Sequence, residues 1–186
     1  MIQRIADMLK RREEDGFTLI ELMVVVLIIG ILIAIAIPTF LGARKRAQDR
    51  AAQSSLRNTV TAAKAIFTDN EDYSAATATA LASSEPSLTF KAAAVASTGQ
   101  NDVSVDGSQI VNGAPKPNRF VAAAKSASSV CWYVQDIAGP AGTTNAGTTW
   151  ARDDRTATVC DAATAPAYNV VAGTGWFSSP GAAVSP

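Results

Sequence analysis

The sequence predicts an α+β chain in which one long N-terminal helix packs on a C-terminal antiparallel β-sheet. Three observations carry that expectation. The run Phe17 to Leu41 is apolar apart from Glu21 and two threonines. Behind it, Leu56, Val60, Ala63 and Phe67 recur at spacings of four, three and four, an apolar stripe at helical period. Beyond Ser87, short β-prone runs alternate with turn residues.

From Leu22 to Ala43 the chain has no ionisable side chain. About 20 apolar residues at roughly 1.5 Å rise cross a bilayer core, so this run is long enough to span one. A buried helix of a soluble protein is the alternative, but soluble cores seldom need so long a stretch of one composition. A secretory signal is the other. Its apolar part runs to only about 7–15 residues and ends in a small-residue cleavage site, whereas here the run passes straight into Ala43-Arg-Lys-Arg. If anything is removed, it is the hydrophilic stretch in front, 1–16. Arg4, Lys10, Arg11 and Arg12 precede the span, and Arg44, Lys45, Arg46 and Arg50 follow it. The positive-inside rule is therefore nearly balanced. The cysteines tip it toward a C-terminal domain outside, because disulfides persist in oxidising compartments.

Glu21 is the exception in the apolar run. A carboxylate in lipid is costly and is by default a functional-site hypothesis. Two readings stand side by side. Thr18-Leu-Ile-Glu21 fits the S/T-x-x-E capping box, in which the glutamate satisfies an amide at a helix start. Alternatively, a cut before Phe17 would create an α-amine one turn away, and that amine on a neighbouring copy could neutralise the carboxylate. Further along, Pro38 predicts a kink, because proline removes a helical hydrogen bond and crowds the preceding turn. Gly30 is the other interruption. Arg50, Arg57 and Lys64 are expected to face mostly away from the stripe, and Asp69-Asn-Glu-Asp72 to end the helix. The Arg44-Lys-Arg46 cluster suits juxtamembrane anchoring better than nucleic acid.

Residues 73–87 read as a surface linker. The expected strands are Ser87–Val95, Asp102–Val105, Phe120–Ala124, Val130–Gln135, Thr148–Arg152 and Thr156–Cys160, with Trp132 and Trp150 as core anchors and Asp106-Gly107 as a turn. The tail after Pro166 reads as loop. A sheet leaning on the helical stripe buries both apolar faces.

The chemistry available is narrow. The 186 residues carry 16 basic and 16 acidic side chains and no histidine. Net charge thus points to no nucleic acid, and the commonest general base and zinc ligand are missing. Two cysteines, Cys131 and Cys160, are too few for a Cys-based zinc site. Asp153, Asp154 and Asp161 could hold calcium, yet the calcium-loop pattern D-x-[DN]-x-[DN]-G does not occur. No phosphate loop and no complete nucleophile–base set appear. The expectation is a chain that is not an enzyme, with no cofactor and no metal site.

Gly16-Phe-Thr-Leu-Ile-Glu21, followed at once by a long apolar helix, resembles the processing site of type IV prepilins and of the related secretion pseudopilins. The resemblance covers roughly residues 16–67 well and the rest in outline. It implies a pilin-like fold and cleavage by a prepilin peptidase at Gly16–Phe17. It also implies methylation of Phe17, assembly through Glu21 and Phe17, and a helix that kinks or loosens between Gly30 and Pro38. A glycine before the cut suits close approach of a protease to extended backbone. One departure is that Glu13-Glu14-Asp15 separates the basic Lys10-Arg11-Arg12 from the glycine.

The resemblance further implies four segments. These are a leader at 1–16, a transmembrane and assembly half-helix at 17–43, an amphipathic half at 44–70 and a β-rich domain at 71–186. The implied role is a structural subunit of a type IV pilus-like filament, held in the bacterial cytoplasmic membrane as a single pass before assembly and exposed at the cell surface afterwards. Its partners would be further copies of itself, the peptidase, an assembly platform with its ATPase, and the inner membrane. The alternatives are a pseudopilin of type II secretion or DNA uptake, and an extracytoplasmic binding module or enzyme held by its signal anchor, for which no polar active site is visible. Relatives often staple the C-terminal region, which suggests a Cys131–Cys160 disulfide. Two free thiols are the other possibility.

Overall fold

The computed structural model describes residues 16–108, 110–111, 114–115, 118–139, 146–153 and 159–165. The chain divides into two units, Met1–Ala43 and Arg44–Pro186. One helix, α1, runs through both as Leu19–Asn70.

In the first unit α1 is apolar on every side and exposed among the described residues. Phe17 is 85% exposed and Leu32 61%. This is the one helix long and apolar enough to cross a membrane among the described residues.

In the second unit the same helix becomes one-sided. Ala52, Leu56, Val60 and Ala63 are buried while Arg50, Arg57 and Lys64 stay exposed. Phe67 packs against the rim of the core. The alanine-rich sequence favours helix and keeps the buried face slim. Facing away proves only half right for the cations. The Arg57 guanidinium lies 5.5 Å from the Trp150 ring centroid, and Lys64 reaches Asp136 at 2.9 Å. The helix ends where expected. Asn70 is its last residue, and Glu71 turns left-handed at φ 55° as its N–H reaches the Phe67 carbonyl.

Residues 73–87 are not the loop expected. Asp72 accepts a hydrogen bond from the Ser74 amide and opens a 3₁₀ turn, Tyr73–Ala75. Thr77 then caps a second helix, α2 (Ala78–Ser84), by accepting from the Ala80 amide. The two caps outweigh the low-complexity composition. Tyr73 and Leu81 are the apolar payload, exposed by only 1% and 0%.

The strands are β1 (Thr89–Ala92), β2 (Asp102–Asp106), β3 (Ile110–Val111), β4 (Ala114–Pro115), β5 (Arg119–Lys125), β6 (Cys131–Ile137) and β7 (Gly147–Asp153). The main sheet has the order β1-β2-β5-β6-β7, and β3 and β4 form a separate ribbon. All pairs in the main sheet are antiparallel except β1 with β2, which is parallel. The mostly antiparallel sheet is the one expected, and the parallel β1–β2 pair is its one exception. That pair depends on the return loop 93–101, which polar contacts fasten. Asp102 Oδ2 accepts from the Thr98 amide at 2.9 Å and pairs with Lys91, while Ser97 Oγ accepts from the Lys125 amide. Burial by itself would raise the Asp102 pKa, but Lys91 and Thr98 outweigh it and hold this carboxyl below its usual range. The run expected at 156–160 is a strand neither at Val159 nor at Cys160, and its other positions lie outside the described residues, as does the tail from Pro166.

Alternation along the strands gives the sheet two apolar faces. Phe120, Ala122, Ala124, Trp132, Val134 and Trp150 join the helical stripe in one core. Ala123, Cys131, Tyr133 and Ala151 face the other way and pack with Cys160. Cys131 and Cys160 are joined by a disulfide with Cα atoms 5.6 Å apart. Segment 159–165 is held down further by hydrogen bonds from the Ala162 amide to Ser104 Oγ and from the Ala163 amide to the Ala93 carbonyl.

A buried polar knot ties helix, turn and sheet together. Asp136 of β6 accepts from the Tyr73 hydroxyl at 2.6 Å, from Thr148 of β7, and pairs with Lys64 of α1. The Tyr73 ring also stacks between Phe67 and Phe120, with centroids at 4.5 Å and 5.6 Å. Gly107 is required beside it, because a Cβ there would lie 1.9 Å from the Tyr73 carbonyl oxygen. Burial, then the Asp136 hydrogen bond and charge, push the Tyr73 hydroxyl well above the ordinary 10.0.

Two outcomes follow. A raised folded-state pKa means that the Tyr73 contribution is intact below the unfolded value and is lost as pH rises, since the unfolded chain ionises first. Stability should therefore fall above about pH 10, and Tyr73→Phe should flatten that slope by up to one proton in urea unfolding followed by tryptophan fluorescence. Replacing both cysteines by serine should cost about 3–4 kcal/mol in the same assay. A wild-type midpoint in the double variant would show that the disulfide stabilises nothing.

Candidate processing and assembly site

The helix begins as the capping-box reading requires. Thr18 is the residue before the first helical position, Leu19. Its Oγ1 accepts from the Glu21 amide at 3.2 Å, and Glu21 Oε2 accepts from the Thr18 amide at 2.9 Å and the Thr18 hydroxyl at 2.7 Å. The exchange satisfies donors that a helix start otherwise leaves open. All of it is local. Glu21 Oε1 receives no hydrogen bond from any described residue.

The cap also fixes what lies before it. Gly16 and Phe17 are outside the helix and exposed. Nothing lies within 4 Å of a Cβ built on Gly16. The Gly16–Phe17 peptide is therefore non-helical, and no described residue covers it. The structure brings Phe17, Thr18 and Glu21 into one turn. Gly30, Pro38 and the cysteines lie elsewhere, and the expected leader up to Asp15 is outside the described residues.

The helix is continuous across both Gly30 and Pro38. A Cβ on Gly30 would meet nothing within 4 Å, so no close approach by a described residue explains the glycine. Next to Pro38, the Thr39 hydroxyl donates to the Ala36 carbonyl at 2.8 Å and to the Ile35 carbonyl at 3.3 Å. Such back-bonding beside a missing N–H marks a local weak point in the ladder. Among the aspartates considered for calcium, Asp161 is spent on capping the Thr164 amide at 2.7 Å, and Asp154 is outside the described residues. Sequence reasoning missed Asp136, whose only signal was an acid following Gln135 at the end of an apolar run.

Comparison with known proteins bears on this same segment. Residues 11–37 match the family described as the prokaryotic N-terminal methylation motif. The resemblance to type IV pilins and secretion pseudopilins thus holds over the N-terminal third. The chain is 51% identical over 59 residues to the type IV major pilin protein PilA of Myxococcus xanthus, covering 32% of this chain and 27% of that protein. It is 45% identical over 62 residues to the type IV wide pilus major component PilA4 of Thermus thermophilus, covering 33% and 47%. With the type II secretion system core protein G of Aeromonas hydrophila it shares 34% over 65 residues, covering 35% and 46%. The chain spans between about a quarter and a half of the length of these relatives. No solved structure matches it.

Proposed function

We infer that this chain is a structural subunit of a type IV pilus-like filament, processed by a prepilin peptidase between Gly16 and Phe17 and assembled through its apolar half-helix. The observation that carries the reading is the match of 11–37 to the N-terminal methylation motif, with the expected scissile peptide lying open just before a capped helix. Phe17 is the residue to be methylated. The apolar half of α1 holds the subunit in the cytoplasmic membrane before assembly and is covered by other copies in the filament.

Glu21 has a double role in this scheme. Thr18 occupies Oε2 and leaves Oε1 for the α-amine of a neighbouring copy's Phe17, so capping and pairing use different oxygens. Leaving a lone charge in lipid without a partner is what the pairing avoids. Gly30 and Pro38 are where α1 loosens as it packs, with Thr39 competing for the carbonyls beside Pro38. The peptidase, an assembly platform and its ATPase are the partners this reading requires. A pseudopilin of a secretion system is the second reading, favoured by the likeness to the type II secretion core protein G.

Mass spectrometry of the mature chain should find methylated Phe17 as its first residue. Retention of Met1 in assembled material would sink the processing scheme. Glu21→Ala should leave the chain processed and membrane-bound while filaments disappear. Filaments at wild-type yield from that variant would remove Glu21 from assembly. Electron microscopy of sheared surface material separates a pilin, which gives long fibres, from a pseudopilin, which does not.

A further inference from the structure

The charges of the second unit are segregated along the chain. Between Arg44 and Lys64 stand six basic residues, Arg44, Lys45, Arg46, Arg50, Arg57 and Lys64, against the single acid Asp49. From Ala65 to Phe90 the order reverses, with Asp69, Glu71, Asp72 and Glu85 and no base at all. Net charge conceals this, because the whole chain sums to zero.

Several of these groups are already engaged. Lys64 pairs with Asp136, Asp49 accepts from the Ser128 hydroxyl, and Asp72 caps the 3₁₀ turn. Arg46, Arg50, Asp69 and Glu71 make no salt bridge with any described residue and are exposed. Arg57 is exposed as well, its head over Trp150. At 100° per residue, positions 46, 50 and 57 fall within about 40° of one another on α1, giving one cationic stripe. Asp69 is about 28 Å further along the helix from Arg50 and about 100° around it. That exceeds the roughly 8 Å Debye length at physiological salt, so the two groups cannot satisfy each other within one chain.

We propose that the stripe Arg46, Arg50 and Arg57 of one copy receives the acidic turn Asp69–Glu71 of a neighbouring copy. The occupant is a second copy because this chain itself carries the complementary charge, displaced along and around the same helix. A contact between two different patches related by a translation and a rotation is heterologous, and repeating it builds an open helical polymer instead of a closed dimer. The charges set register and suppress wrong neighbours, while apolar burial supplies the bulk of the adhesion. This contact rests on the filament reading above and specifies how neighbouring copies meet.

The test is charge reversal and charge swap in the full chain, in cells that assemble the wild type, read as sheared filament yield. Arg50→Glu with Arg57→Glu leaves the juxtamembrane bases 44–46 in place. It should lower yield about tenfold or more, with the level of processed, methylated chain unchanged. Asp69→Lys with Glu71→Lys should do the same. All four changes together should restore yield to within about threefold of wild type. A variant that merely failed to fold would not be rescued this way, and Arg50→Lys with Arg57→Lys should keep wild-type yield. Reversals without effect, or losses that the swap does not repair, overturn the contact while leaving the filament reading intact. So does a reversal that alters membrane retention alone, since the bases would then serve lipid headgroups. If processed wild-type chain forms no filament where the machinery is present, the filament reading itself fails.

Discussion

The second unit depends on a single packing event, the closure of a narrow helical face over a twisted sheet. Ala52, Leu56, Val60 and Ala63 on α1 share a core with Phe120, Ala122, Ala124, Val134, Trp132 and Trp150. Small residues occupy both partners, which lets the backbones come close, and the two tryptophans fill what remains. Burying a leucine or valine side chain is worth about 1.5–3 kcal/mol, so this stripe and the sheet face opposite are what make the 44–165 region cohere. Neither side could stand alone. A helix needs an apolar partner for its stripe, and a five-stranded sheet with two apolar faces needs a cover on each. On the far face that cover includes segment 159–165, pinned by the disulfide.

The polar knot at Asp136 makes sense only once the helix is seated. Lys64 and Tyr73 come from the end of α1 and the turn after it, Thr148 from the neighbouring strand. A buried carboxylate with fewer partners would be a liability, since breaking such a set leaves an uncompensated charge. With all of them it adds little net stability but fixes geometry. The helix end cannot slide along the sheet without undoing contacts to three elements. The left-handed Glu71 and the glycine at 107 are the backbone conditions for placing Tyr73 there.

Residue pattern made some of this legible in advance. The α1 stripe, the helix end at Asp69-Asn70 and the strands β2, β5, β6 and β7 follow from period and turn chemistry, which are local properties. The β1–β2 parallel pairing was not legible, because it depends on Lys91, Thr98 and Asp102 meeting across a loop that no periodicity describes. The short helix α2 was hidden by an Ala/Thr/Ser composition typical of linkers. Its signals were Thr77 as a cap and Leu81 as a lone large apolar side chain, and both are weak until a core exists to receive them. At the candidate site, Thr18-x-x-Glu21 could be read directly, since a capping box closes within four residues. What the sequence alone left open was whether capping would exhaust the carboxylate.

It does not, and that changes the energetics expected of assembly. Had both Glu21 oxygens been bonded within the chain, pairing with an amine would first require breaking the cap. Instead the cap uses Oε2 twice and leaves Oε1 without a donor among the described residues. An incoming amine then adds a charge-assisted hydrogen bond without removing the two that start the helix, and it cancels the charge in the same step. The gain would be realised only where water is excluded, which in the proposed filament is where other copies would cover the apolar half of α1. In that reading a subunit alone in the membrane would keep its capped helix but lack that neutralisation. In the proposed filament, assembly would thereby be favoured by completing Glu21's set of partners, and the same carboxylate that makes the lone helix imperfect in lipid would give each copy a reason to acquire a neighbour.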